Sequence, residues 1–412
     1  MLRFDEALQR VISLGAPALP AEGVAIEDAI GRVLCEDVTS PGDLPPFDYS
    51  AMDGYAVRAQ DLDAAGAGDR AVRLRVRGES KTGEVPARLE PGSAMRIFTG
   101  APIPAGADAV VMQENVTREG DTCIFHTKSR PGANVRRRGD DLARGAVALR
   151  RGTRLRAAHL SLAAAVDRSE VLVARRPSVA VLATGDELRR PGSDPVDGMI
   201  PESNTVALRA MCRAVGAAAR EHPFVRDDLA ATERALAAAV LEHDVVVSVG
   251  GVSVGDHDVV RPALEAVGVT LEFWKVAIKP GKPIAIGRFA RPSGRETIVV
   301  GLPGNPSSAL VTFALFGVPL LRALQGDAHP FPTPLRARVT RPIAHTPGRV
   351  HFARGALQPM ADGLHVTALT NQASGAVTSI AHADCLVVVP AEVNGLAAGE
   401  EVDVLPLAEL GG

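Results

Sequence analysis

The stretch "DVVVSVGGVSVGDHD", residues 244–258, runs from a continuous apolar segment straight into closely spaced glycines. A strand that is apolar without alternation is buried on both faces, as in parallel sheets covered by helices. The segment after it is a loop. Gly250, Gly251 and Gly255 leave backbone N–H groups accessible, and Ser248 and Ser253 add hydroxyls. Such a loop suits a phosphate or another oxyanion. Its glycine spacing is not that of a dinucleotide fingerprint, and no Gly-Lys-Ser/Thr follows, so it is not a P-loop. A glycine turn packed against a neighbour is the competing reading of this stretch taken alone.

Outward from it, residues 178–322 repeat the pattern. "SVAVLA" and "TIVVGL" are further apolar strands, and "VTLEFWKV" and "PIAIGRF" lie between. Leu208, Met211, Cys212 and Val215 recur at helical spacing, with Gly216 as a stop. A strand is expected near "EHPFV" and a helix over about 228–241. Strands alternating with helices predict a mostly parallel sheet covered on both faces. In such sheets ligands sit at the carboxyl ends of the strands. Three exits stand out there. "LATGDEL" ends a strand in Thr-Gly and two acids, Asp186 and Glu187, where a tight turn with solvated acids is the plainer reading. The glycine loop is the second. "GLPGNPSSAL" is the third, with Pro303 and Gly304, then Asn305 at a favoured cap position and Pro306 as a favoured first helical residue. Ser307 follows in the first turn, where free N–H groups and the helix dipole can hold an anion. Between the last two lies "KVAIKPGKP", with Lys275, Lys279 and Lys282 in nine residues and Pro280 among them. An anionic ligand with more than one charged group fits these loops better than solvated lysines do.

The flanking regions differ. Phe4, Leu8, Val11 and Ile12 predict an N-terminal helix, and residues 26–34 a second short one. From about 55 to 150, short strand-like runs such as "VRLRVRG" and "DAVVMQEN" alternate with Gly and Pro turns, predicting a β-rich domain. From 326 onward, runs such as "GRVHFARGAL" and "CLVVVP" predict a small β-barrel or sandwich. Both tyrosines, Tyr49 and Tyr55, flank Asp53 in "PPFDYSAMDGYAV", although aromatics are only 3% of the chain. They read as packing that holds the Asp53 loop.

Bulk composition narrows the function. The chain has 412 residues, 46% apolar and 23% charged, enough for two to four domains. Lys plus Arg is 45 against 48 Asp plus Glu, so the formal charge is −3 and nothing draws the whole molecule to nucleic acid or an anionic membrane. Nine arginines fall between 130 and 156, but without aromatics to stack bases; a solvated or subunit-contact face is expected. The four cysteines form no CxxC pair, which fits a reducing compartment without structural zinc. The start "MLRFDEALQR" is unlike a signal peptide. The longest apolar run, "ALVTFALFGVPLL", is interrupted by Gly317 and Pro319 and reads as too short for a bilayer. A cytoplasmic protein with no membrane and no nucleic-acid partner is expected.

Taken together and in order, "FDYSAMDGYAV", "FTGAPIPAGADAVV", "RRRGDDL", "ATGDEL", "SVGGVSVGDHD", "WKVAIKPGKPIAIG" and "GLPGNPSSAL" resemble the molybdenum insertase family, bacterial MoeA and the E-domain of gephyrin. The resemblance spans nearly the whole chain. It implies insertion of molybdenum into adenylylated molybdopterin from molybdate, with release of AMP and help from Mg2+. It implies a multidomain α/β and β fold: a discontinuous linking domain at 1–44 and 136–177, a β-rich domain at 45–135, an α/β molybdopterin-binding domain at 178–325 resembling the adenylylating enzyme MogA, and a C-terminal barrel at 326–412. It also implies a homodimer with the active site in a cleft between subunits. Carried over position by position, the catalytic residues are Asp53, Thr99, Asp141, Asp186, Glu187, Lys275 and Lys279, with Asp53 and Glu187 as Mg2+ ligands. Substrate contacts are Asp228, Asp256 and Asp258, the glycine loop with its two serines, Pro280, Lys282 and the 303–307 turn. Asp228 and Asp258 stand at helix starts, where capping is the alternative. "TPGRVHFARG" and "TNQASGAVTS" resemble the family's late motifs and put Arg349 and Ser374 on the molybdate side. A MogA-type adenylyltransferase and molybdoenzyme maturation factors are the implied partners. Two rival functions stand beside this one. A molybdopterin adenylyltransferase would leave the first 170 residues and the barrel unexplained, and a catalytically weak binding scaffold would have no use for the acids and lysines.

Overall fold

The computed structural model describes residues 1–16, 18–66, 70–251 and 259–412. The chain forms two units. One comprises Met1–Glu36, Arg151–Arg156 and Glu170–Gly412; the other comprises Asp37–Arg150 and Ala157–Ser169.

The larger unit holds the α/β sheet. Its strands run in the order Ala218–Glu221, Ser178–Ala183, Val245–Val249, Glu296–Leu302, Pro283–Ala290, Thr270–Lys275. The first four are parallel to one another, and Pro283–Ala290 runs antiparallel between Glu296–Leu302 and Thr270–Lys275. Pleating sends alternate residues to opposite faces, and both faces are filled. Val179, Val181, Val245, Val247, Ile298 and Val300 join one core, with Leu208, Met211 and Phe313. Ala180, Leu182, Val246 and Val299 join another, with Leu236, Val240 and Leu264. Burial on both sides is why these strands read as unbroken apolar runs.

The helix Phe4–Leu14 buries Ala7, Leu8 and Val11 in the first of these cores. Phe4 meets the rings of Phe316 and Phe352 edge-on, at 5.8 and 4.9 Å between centroids. The expected helix over 26–34 does not form. Only Ile26–Asp28 makes a 3-10 turn. Gly31 then takes φ +72, and Val33 and Leu34 bridge to Arg154 and Val173. Those non-local pairings override a weak local propensity.

The apolar run after Asn305 also departs from expectation. Pro306–Leu324 is a continuous helical stretch of 19 residues with mean hydropathy 1.6, long enough by length and composition to cross a membrane. Gly317 and Pro319 do not break it; Gly317 closes a π-turn over Phe313–Gly317, and Pro319 stands in the first turn of Val318–Leu324. Burial decides its role, since 83% of it lies inside the protein core.

The C-terminal barrel follows. Strands Val350–Met360, Gly363–Ala368, Leu335–Val339, Glu401–Pro406 and Cys385–Val389 pair in that order, and the last returns to the first, closing five strands. The short strand Ile278–Lys279, from the lysine loop, joins the barrel edge in parallel, with Lys279 opposite His351.

The smaller unit is a six-stranded sheet ordered Ala109–Met112, Gly54–Val57, Ser93–Ile97, Val72–Ser80, Thr122–Phe125, Val116–Glu119. Tyr55 is buried in its core, its ring edge-on to Phe125 at 6.4 Å. Tyr49 lies in the ribbon that pairs Tyr49–Ser50 with Val135–Arg136. Both tyrosines hold the Asp53 loop by packing and pairing. In the same unit Arg137 and Arg138 are tied to Asp48 and Asp43, at 2.7 and 2.6 Å, so part of the arginine stretch is a paired face.

Candidate active site

Strand register decides where the loops meet. Ala183 lies opposite Val249, and Val249 opposite Leu302. The chain therefore leaves three neighbouring parallel strands at one level, at Thr184, Gly250 and Pro303. These exits and the segment 187–204 enclose a cavity of about 510 Å³. Leu188, Ile200, Pro201, Pro283 and Pro303 give it apolar walls, while Thr184, Glu187 and Asn305 are among its polar lining. A few placed polar groups between apolar walls suit a flat ring with polar edges.

The glycines are needed by geometry. Gly250 has φ +96, and a Cβ there would come within 2.6 Å of the Thr184 carbonyl oxygen. Gly251 has φ +60, and its Cβ would meet Val260 Cγ2 at 2.5 Å. The turn after the strand can close this tightly only without side chains.

Two polar side-chain atoms of the cavity lining are buried with no hydrogen-bond partner among the described residues: Thr184 Oγ1 and Asn204 Oδ1. Each such atom costs on the order of 1–3 kcal/mol if left unpaired. Two such atoms in one lining mark a place for a polar ligand or ordered water.

Of the residues singled out from sequence, Glu187, Gly250, Gly251 and Pro303–Pro306 line this cavity. Ser248 is buried in its strand, at 1% exposure. Asn305 is at the helix cap position, yet its side chain makes no capping hydrogen bond. Ser307 is engaged: its hydroxyl donates to the Ala376 carbonyl at 2.7 Å. Asp228 caps the helix Leu229–Glu242, accepting from the Ala231 N–H at 2.7 Å, so the capping alternative describes it. Its neighbour Asp227 is the one that lines the cavity. Asp186 is exposed beside Glu187. Ser253, Gly255, Asp256 and Asp258 lie outside the described residues.

Sequence reading missed Glu202 and Asn204. Glu202 is 2% exposed and accepts from the Thr205 N–H and hydroxyl, fixing the start of the helix Asn204–Ala214. Asn204 Nδ2 donates to the Gly304 carbonyl at 2.8 Å, tying that helix to the third loop. The signal was an acid and an amide around Ser203, just before a helical period, the pattern of a helix start.

The barrel side of this unit is cationic. Lys275, Lys279, Lys282 and Arg349 form no ion pair among the described residues. Lys279 precedes Pro280 through a cis peptide. His345 and His351 stack, with centroids 5.7 Å apart, and neither ring nitrogen of His351 has a hydrogen-bond partner among the described residues. Burial first, then the charge of Lys279, pushes His351 down to about 4. His345 is lowered by the same two causes. Ser374 lies against the helix start, its carbonyl accepting from the Ser308 N–H at 3.3 Å.

In the smaller unit, Asp53 Oδ1 accepts from both the N–H and the hydroxyl of Thr99, each at 2.8 Å. These bonds, aided by Arg96, hold the Asp53 carboxyl below the usual carboxylate range. A Cβ at Gly54 would fall 2.1 Å from the Val111 carbonyl oxygen, so the chain after Asp53 runs where only glycine fits. Asp141 is exposed, its N–H on the Leu44 carbonyl at 3.0 Å.

Among the described residues, no three His, Cys, Asp or Glu side chains cluster to hold a metal. Mg2+ needs no such cluster, because it takes one or two carboxylates and completes its shell with water and substrate phosphates. Asp53 keeps one oxygen outside the Thr99 bonds, and Glu187 is exposed at the cavity.

Comparison with known proteins places the chain in a family. Residues 2–166 match the "MoeA N-terminal region (domain I and II)", 180–323 a "Probable molybdopterin binding domain", and 336–407 the "MoeA C-terminal region (domain IV)". The "Molybdopterin molybdenumtransferase" of Haemophilus influenzae is 36% identical over 100% of both chains. That of Nostoc sp. is 37% identical over 92% of this chain and 87% of its own. The chain belongs to the MoeA family of molybdopterin molybdenumtransferases. The crystal structure of a MoeA protein of molybdopterin biosynthesis from Pyrococcus horikoshii is 35% identical and superposes with a TM-score of 0.80, covering 98% of this chain and 99% of that one. The MoeA likeness covers the first 170 residues and the barrel, the parts that an adenylyltransferase reading left over. The activity of this family is a step of molybdenum cofactor biosynthesis.

Proposed function

We propose that the chain takes adenylylated molybdopterin and molybdate, releases AMP and leaves molybdenum on the dithiolene. The observation that carries this is the 510 Å³ cavity, with apolar walls, glycine edges and two buried polar atoms that have no partner among the described residues. The pterin takes the apolar walls of Leu188, Ile200 and Pro303, with Thr184 and Asn204 reading its polar edge. Its phosphate lies on the N–H groups of Gly250 and Gly251 and at the helix start after Asn305. Molybdate is held by Lys279, Pro280, Arg349 and Ser374, with Lys275 and Lys282 adding positive charge.

Cleavage of the phosphoanhydride needs positioning and charge stabilisation more than a covalent intermediate. Asp53 and Glu187 are the carboxylates that would each serve Mg2+, which when bound would supply positive charge to the phosphates. Thr99 keeps Asp53 ionised and aimed, while Asp141 and Asp186 complete the acid set. The protein works as a cytoplasmic homodimer and receives its nucleotide substrate from a MogA-type adenylyltransferase. The experiment is direct: purified protein with adenylylated molybdopterin and Mg2+ should release AMP only when molybdate is added. AMP release independent of molybdate, or none with both, overturns the reading.

A further inference from the structure

Arg354 is the largest side chain buried outright among the described residues, at 0% exposure. No carboxylate lies within ion-pair distance of it among those residues. A buried cation without a counter-ion is costly, and a side chain that merely filled the barrel would be apolar. Its bonds show where the charge is used. Nε donates to Ser379 Oγ at 2.9 Å, and Nη2 to the carbonyls of Asn371 and Ala373 at 3.2 and 2.9 Å. Its own N–H takes Gln372 Oε1 at 3.0 Å, and Gln372 Nε2 returns a bond to the Arg354 carbonyl at 2.9 Å. Every one of these bonds converges on the segment 371–379.

The far side of that segment is bonded to the cavity's helix. Ser374 O accepts from the Ser308 N–H at 3.3 Å, and Ala376 O from the Ser307 hydroxyl at 2.7 Å. A Cβ on Gly375 would lie 3.9 Å from Asn305 Oδ1. A continuous path thus runs from the barrel guanidinium, through the 371–376 turn, to the residues that line the cavity. Nη1 of Arg354 remains without a partner among the described residues, so the positive charge is not fully consumed by the turn.

We propose that Arg354 is a positioning residue for the oxyanion half of the reaction. It sets the 371–376 turn, and Ser374 with it, against the helix start at Asn305–Ser308. This rests on the reading that Ser374 and Arg349 serve molybdate. A planar guanidinium is needed because its donors point in fixed, separate directions; an ammonium is a point donor that cannot reach three acceptors spread along a turn.

The test compares Arg354→Lys, Ser379→Ala and Ser374→Ala in AMP release at varied molybdate, with adenylylated molybdopterin affinity measured separately by calorimetry. Loss of bonds from a charged donor predicts that Arg354→Lys raises the molybdate KM about tenfold or more. Affinity for adenylylated molybdopterin and kcat at saturating molybdate should stay near those of the unaltered protein. Ser379→Ala, which removes one acceptor, should give a smaller rise in the same constant. If Ser374→Ala raises the molybdate KM but Arg354→Lys and Ser379→Ala do not, the inference is overturned and the molybdate reading stands. If Ser374→Ala leaves that constant unchanged, the molybdate reading falls and takes the inference with it. If Arg354→Lys only lowers Tm and kcat, Arg354 is a structural plug and the inference is overturned. Should Arg354→Lys not fold, Ser379→Ala and Gln372→Ala decide by the same constant.

Discussion

Asp53 is held in its ionised form by two bonds from Thr99. Asp53→Asn keeps an acceptor for those bonds but loses the charge. The fold should persist while AMP release falls by about 10²–10³, the usual size of one lost transition-state contact; turnover near that of the unaltered protein would remove Asp53 from the mechanism. Because its pKa is depressed, Asp53 stays charged through the neutral range, so an acid limb in the pH–rate profile should come from another group. His351 titrates with the opposite consequence. Its folded pKa, about 4, lies below the ordinary 6.5. Between these values the unfolded chain binds a proton that the folded one refuses, so stability drops as pH falls from 6.5 toward 4. The full effect is at most about 3 kcal/mol, and it is complete only below the folded value. His351→Leu should flatten the dependence of Tm on pH in that window; an unchanged slope would mean that His351 is not its source. At this scale the sequence was readable where chemistry and spacing coincide, as at Asp53 and the glycines. It was not readable for Glu202, Asn204 or Arg354, whose partners lie on other loops or whose roles depend on complete burial.

At the scale of the element, the α/β sheet was legible because two-sided burial leaves its mark as unbroken apolar strands. The 26–34 segment was not, because its pairing partners lie more than a hundred residues away. The run after Asn305 misled for a different reason: a π-turn lets the helix pass Gly317 and Pro319 without ending. The three loops differ in how much substitution they can absorb. At Gly251 any side chain meets both a left-handed φ and Val260, so Gly251→Val should destabilise the fold by about 1–3 kcal/mol as well as weaken binding. At Gly304 the nearest atom to an added Cβ is Gly250 Cα, at 3.6 Å, an ordinary contact. Gly304→Ala should therefore leave Tm unchanged while reducing molybdopterin affinity, measured by calorimetry. Unaltered affinity would show that the ligand does not pass between these two loops.

For the whole molecule, the proposed homodimer has a subunit-mixing test. Asp53→Asn and Glu187→Gln are each expected to be nearly inactive. If one cleft takes the two acids from different copies, a mixed dimer keeps one intact cleft, and an equal mixture should recover about a quarter of full activity. No recovery after demonstrated subunit exchange would mean that both acids act from one chain. The connectivity of the two units has a mechanical consequence. Both chain ends belong to the larger unit, while residues 37–150 leave and re-enter it as a loop whose ends are clasped, Leu149 opposite Val38 and Val147 opposite Thr39. Tension between the termini therefore loads the larger unit first and leaves the loop slack until the Ala21–Ala25 and Glu170–Ala174 ribbon opens. After that, the clasp is pulled apart one pair at a time, like a zipper. Force spectroscopy should record two separated ruptures, the later one releasing the length of residues 37–150. An unfoldase that grips the C-terminal end would consume the α/β sheet before it reached residues 37–150 and Asp53.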